Sequence, residues 1–240
     1  MFIPALAKIL ICPFCKGEKP VLEPLFGHSL GGTVWSDTKT IYPAMPEISM
    51  VQRCPHCGKY YFAFNVESKE GDADSDDQGN LTYEQIKEAV NQYDQVVLEQ
   101  EDEITLRLLF VQIYNDTFQR EGVAHDAQPT AADKALLRKQ VLRLEQIWDN
   151  AEDLLRAELY REIAEFEQAT KILDALTIDK PFTEYMESRI RQLADSGQTQ
   201  AFLIKYKPTE EDIREVEQQE SESYTIDPSS LKHIDEDSPF

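Results

Sequence analysis

No apolar run in this chain approaches the 18 residues of a membrane-spanning helix, so no membrane partner is expected. Histidine is sparse. His28, His56, His125 and His233 lie far apart in the chain, and none stands in a nucleophile or metalloprotease motif. Glycine is sparse as well, at nine residues, and no Gly-rich phosphate loop precedes a helix. These gaps leave no residue to nominate as catalytic and no organic cofactor to place. Positive charge is short: 24 Lys and Arg stand against 45 Asp and Glu, a net charge of −21. Met1–Lys8 lack the charged, then apolar, then small-residue layout expected of a secretory signal.

Cysteine is scarce too, but its four copies are ordered. They form two knuckles, Cys12-Pro13-Phe14-Cys15 and Cys54-Pro55-His56-Cys57-Gly58. Each Cys-x-x-Cys pair can grip one metal ion, and two pairs supply a complete tetrahedral thiolate shell with no open position. A structural zinc held by Cys12, Cys15, Cys54 and Cys57 is therefore expected, and reduced, metal-bound thiols fit a cytoplasmic protein. A competing reading makes Cys54 and Cys57 a redox dithiol, because a low-pKa thiolate followed by Pro-His favours an oxidising disulfide. That chemistry wants a helix starting at the first cysteine. Lys59–Phe64 is instead an aromatic run that reads as a strand, and Cys12 and Cys15 would have no role. His56 reads as a surface or supporting residue between two better-placed thiolates.

Composition divides the chain. Residues 1–66 carry all the cysteines and the strand-like runs, residues 67–80 an acidic linker, residues 81–207 a helical pattern, and residues 208–240 an acidic tail expected to be partly disordered. Residues 1–66 hold six Lys/Arg against four Asp/Glu, which leaves a net −23 on residues 67–240. Four thiolates around Zn²⁺ add −2 and bring the first segment close to neutral. A neutral ribbon joined to an acidic partner is repelled by phosphates, so no nucleic-acid partner is expected.

Within the first segment, Gly31–Asp37 reads as a strand entering a turn and Thr38–Tyr42 as its return; Ile48–Arg53 then alternates into the second knuckle. Trp35 and Tyr42 read either as a ligand surface or as cover for a small core. In the linker, Asp74, Asp76, Gln78, Gly79 and Leu81 match part of an EF-hand loop. Gln85 stands where the bidentate Glu belongs, and with Thr82 it has capping-box spacing, so weak calcium binding and a helix cap compete for 74–85.

The helical region should begin at Thr82–Tyr93. Glu103–Gln119 is apolar nearly all round and should be central. Thr130 is an N-cap candidate with Asp133 in the first turn, leading a stripe of Leu137, Val141, Leu144 and Trp148. Segments 152–164 and 166–177 form a pair, followed by 182–195. Ala157, Tyr160, Phe166, Ala169 and Pro181 stand at the relative spacings of a tetratricopeptide repeat, which this pair resembles; Asp153 and Arg156 depart from that pattern.

The paired Cys-Pro-x-Cys knuckles, with the Gly31–Asp37 segment, resemble the bacterial CpXC family, which is named for that motif. The resemblance implies the ribbon and no activity. The expected class is α+β, a small β-rich zinc ribbon followed by an all-α, tetratricopeptide-like domain. The expected function is non-enzymatic binding of a protein or peptide partner, favourably a basic one. The alternative is an enzyme whose site lies between the two parts.

Overall fold

The structure, a computed structural model, describes residues 6–23, 32–42, 49–71, 80–149, 151–178 and 180–207. Residues 74–79 of the EF-hand-like frame and the whole acidic tail lie outside the described residues. Among the described residues the architecture is α+β: small antiparallel sheets come first, then six helices.

Two of the hairpins in the amino-terminal part each turn through one knuckle. Strands β1 (Leu6–Ile11) and β2 (Glu18–Glu23) pair with Ile11 opposite Glu18. A small hairpin follows, β3 (Thr33–Val34) with β4 (Thr40–Ile41). Strands β5 (Val51–Arg53) and β6 (Tyr60–Phe62) pair with Arg53 opposite Tyr60. β7 (Ser68–Gly71) then joins the free edge of β1, giving the order β2-β1-β7. That strand lies in the segment read from sequence as linker. A sheet edge recruits backbone donors and acceptors, so charge and low hydrophobicity in Ser68–Gly71 do not prevent pairing.

The first and third helices begin where the capping signals place them. α1 (Tyr83–Tyr93) starts at Thr82, whose hydroxyl accepts from the Gln85 N–H at 3.3 Å while the Thr82 N–H donates to Gln85 Oε1 at 2.9 Å. Gln85 thus serves as a cap residue. α2 (Gln100–Phe118) starts three residues before the apolar pattern suggested, on an acidic first turn of Glu101, Asp102 and Glu103 that suits a helix N-terminus. Phe110 and Val111 are fully buried in it. α3 (Ala131–Ile147) has a second capping box, Thr130 with Asp133, and buries Leu137, Val141 and Leu144. α4 (Asp153–Glu162) and α5 (Phe166–Ala175) pack closely through Ala157 and Ala169, both without exposed surface. α6 (Pro181–Asp195) opens on Pro181, whose missing N–H costs nothing in the first turn.

The packing does not divide at residue 66. Val51, Tyr60 and Phe62 of the second hairpin belong to the same buried cluster as Ile86 and Val90 of α1 and Phe110 and Tyr114 of α2. α1 also reaches the backbone of β6. Gln92 accepts from the Tyr60 N–H at 3.0 Å and donates to its carbonyl at 2.8 Å, and the Tyr93 hydroxyl donates to that carbonyl at 2.8 Å. A second core joins α4, α5 and α6 around Ile172, Ile190 and Phe202.

Candidate metal centre

The two knuckles are hairpin tips with matching backbones. The Cys12 N–H donates to the Gly17 carbonyl at 2.9 Å, as the Cys54 N–H does to the Lys59 carbonyl at 2.8 Å. Lys16 N–H closes back on the Cys12 carbonyl and Gly58 N–H on that of Cys54, each at 2.9 Å. Both closures need the left-handed conformation: Gly58 has φ of 73° and Lys16 has φ of 60°. Glycine adopts it freely, whereas a side chain strains it.

Folded this way, the tips face one another. The four Sγ atoms of Cys12, Cys15, Cys54 and Cys57 lie within 4.8 Å of each other. Across the knuckles, Cys12 Sγ is 3.7 Å from Cys57 Sγ, and Cys15 Sγ is 3.6 Å from Cys54 Sγ. A metal–sulfur bond of about 2.3 Å gives a tetrahedral S···S edge of about 3.8 Å, so these spacings fit four thiolates around one ion. All four cysteines are free thiols. Cys12 and Cys54 are buried and Cys15 and Cys57 exposed, so one side of the shell rests on the small core of Leu10, Val21 and Tyr61.

Backbone donors surround the sulfurs. Gly17 N–H points to Cys15 Sγ and His56 N–H to Cys54 Sγ, each at 3.4 Å. At Cys54, burial pushes the pKa up, but the N–H groups of Cys57 and His56 and the facing thiols outweigh it, and the value falls to about 6. At Cys15 the Gly17 N–H pulls down, but desolvation and the other three thiols prevail and push it up to about 12. The Cys15 thiol therefore resists ionising beside the other three, and a divalent cation held by the four sulfurs would remove that resistance.

His56 does not contribute a ligand. Its Nε2 lies 3.1 Å from the Glu18 carbonyl across the two hairpins, and its ring packs on Gly17 so closely that a Cβ there would meet His56 Cδ2 at 2.3 Å. Gly17 is glycine because the second knuckle lies on it. Phe14, half-exposed at the first tip, has the Lys59 ammonium 4.7 Å from its ring centroid.

Sequence reasoning missed a second cluster, between the β3–β4 hairpin and the helices. Asp37 is completely buried and pairs with Arg120, with 2.9 Å between Oδ2 and Nη2. Asn115 donates to Asp37 at 2.9 Å and to Glu162 at 3.1 Å. On α4, Glu158 and Arg161 form a buried two-bond pair at 2.5 and 2.7 Å, and Arg161 also donates to the carbonyls of Gln198 and Gln200. Burial first, then Glu158 and Asp37, push the Glu162 carboxyl well above the usual carboxylate range. Trp35 is buried beside them with the Arg120 guanidinium 4.5 Å from its ring centroid, so it ties the hairpin to the helices. The signal lay in α4, where Glu158, Arg161 and Glu162 share a face with i, i+3, i+4 spacing. Asp37, Arg120, Glu158, Arg161 and Glu162 are each at most 3% exposed, which suits a latch holding elements together better than a site that substrate must reach.

Comparison with protein-family models, with curated proteins and with solved structures yields no significant match in any of the three. No family model supports the likeness to the CpXC family, which rests on the two Cys-Pro-x-Cys knuckles and the Gly31–Asp37 segment. Among the described residues, no helix is long and apolar enough to cross a membrane.

Proposed function

We propose that the chain is a non-enzymatic, zinc-stabilised interaction module that binds a protein or peptide partner through its helical region. The observation that carries the metal half is the cross-knuckle S···S spacing of 3.6 and 3.7 Å between four free thiols. An all-thiolate tetrahedral set suits Zn²⁺, and a shell closed by four protein ligands is structural because no position remains for water or substrate. In this reading Cys12, Cys15, Cys54 and Cys57 are the ligands, and the ion fixes the facing hairpins on which β6 is presented to α1. Reduced, metal-bound thiols fit a cytoplasmic protein.

The partner half rests on the helices. The close Ala157–Ala169 crossing, the aromatic Tyr160 and Phe166, and Pro181 at the start of α6 support the tetratricopeptide-like reading of α4 to α6. Stacked helix pairs of that kind present surfaces that hold peptide segments. The acidic excess of residues 67–240 favours a basic partner at long range and disfavours nucleic acid. Binding of basic and acidic peptide pools, with duplex DNA alongside, at low and moderate salt tests this half. Preference for the basic pool, weakening with salt, is expected; tight DNA binding would overturn it.

A further inference from the structure

We propose that the acidic segment following residue 207 docks in the cleft between the α1–α2 loop and α3. This goes beyond the proposed function and does not depend on it. The cleft, about 790 Å³, has an apolar wall and a cationic wall. Its cations run against the composition of the surrounding region. Residues 81–207 hold fifteen Lys/Arg and twenty-four Asp/Glu, yet four of those cations and only two of those acids line this one cleft.

Arg107 forms the base, 6% exposed and tied to Asp94, Glu103 and Gln140. Arg138, Lys139 and Arg143 stand along α3 with side chains 46%, 60% and 43% exposed. Arg138 pairs with Glu165 at 2.7 Å and Lys139 with Asp94 at 2.5 Å, each through one nitrogen. A guanidinium has five N–H donors and an ammonium three, so both retain capacity for an incoming carboxylate.

On the apolar wall, Val96 is 56% exposed and Val97 98% exposed, both in the loop after α1. Two bare valines beside three cations form a surface that gains by being covered with an acidic, partly apolar segment. The chain contains one. Residues 208–240 hold eleven Asp/Glu against Arg214 and Lys232, a net −9, with Ile213, Val216, Tyr224 and Ile226 interspersed. Thirty-three residues span up to about 110 Å when extended, so reach is not limiting. Occupied this way, the cleft is closed to other acidic ligands until the segment leaves.

The test is zero-length carbodiimide coupling of the full chain at high dilution, read by peptide mass spectrometry. The expected result is an amide between Lys139 Nζ and a carboxylate of residues 210–237, diminishing as salt rises. In the full-length variant carrying Val97→Glu and Arg138→Glu, that amide should drop about tenfold, since an apolar contact and a cation are both replaced by like charge. The Lys139–Asp94 amide reports that the cleft is still folded and should persist. Tail carboxylates that couple only elsewhere, or not at all, overturn the proposal. So does a Lys139–tail amide that survives the double substitution.

Discussion

Replacing Asp37 by alanine should loosen the hairpin from the helices and cost the whole chain stability. The carboxylate has no exposed surface, and its partner Arg120 is 3% exposed. Asp37 accepts from Arg120 at 2.9 and 3.4 Å, from Asn115 at 2.9 Å and from the Lys39 N–H at 3.2 Å. Alanine leaves those donors buried without this acceptor. Breaking one side of a buried pair costs about 3–5 kcal/mol. Arg120 keeps Asp116 at 2.5 Å, so the lower end, about 3 kcal/mol, is expected. The assay is urea unfolding in a Trp148→Phe background, followed by far-UV circular dichroism for the helices and by Trp35 fluorescence for the hairpin. Both signals should shift together, because Trp35 lies against Arg120 at the end of α2. Asp37→Leu combined with Arg120→Met should recover most of the loss, since no charge is left stranded. A loss below about 1 kcal/mol, the range of a solvent-exposed pair, would refute the latch, as would separate hairpin and helix transitions.

Lys16→Gly should stabilise the first knuckle by about 1 kcal/mol, because Lys16 holds a φ of 60° that glycine adopts without strain; denaturant midpoints measure it. Gly17→Ala should weaken the site by about 1–3 kcal/mol through the clash with His56, and His56→Ala should relieve it, making the double variant more stable than Gly17→Ala alone. The Thr130 hydroxyl, opposed by burial and aided by the Thr130 N–H, Tyr83 and Lys87, holds the Asp133 carboxyl down at about 2. Stability from a depressed carboxylate is complete above its unfolded pKa of about 3.9 and is lost as pH falls through the folded value. Asp133→Asn should accordingly flatten the acid limb of stability against pH across that window. A fragment of residues 81–207 should unfold more readily than the full chain in thermal melts, because it lacks the cover that Val51, Tyr60 and Phe62 give α1 and α2.

The elements with local signatures were legible in the sequence. The Thr82–Gln85 capping box, the Thr130 N-cap, the buried course of α2 and the turn of the second knuckle into a strand follow from spacing that acts within a few residues. The clustering of the four thiols was legible for the same reason: two short motifs, each at the tip of a hairpin, suffice to define it. What escaped depends on distant partners. Ser68–Gly71 are a strand only because β1 offers an edge, and nothing in their own side chains says so. Asp37, Arg120 and Glu162 look like solvated charges until tertiary packing buries them together. The same packing joins the hairpins and helices into one core across a boundary that composition marks sharply.

The central claim is that Cys12, Cys15, Cys54 and Cys57 close around one zinc ion. Elemental analysis of the untagged protein, purified without chelator, tests it most directly, with thiol titration before and after metal removal. One zinc per chain is expected, with four thiols becoming reactive on chelation and the zinc lost in Cys54→Ser. Protein carrying no metal and refusing added zinc, with Cys12–Cys15 or Cys54–Cys57 joined as disulfides, would contradict the account and favour redox chemistry at the knuckles.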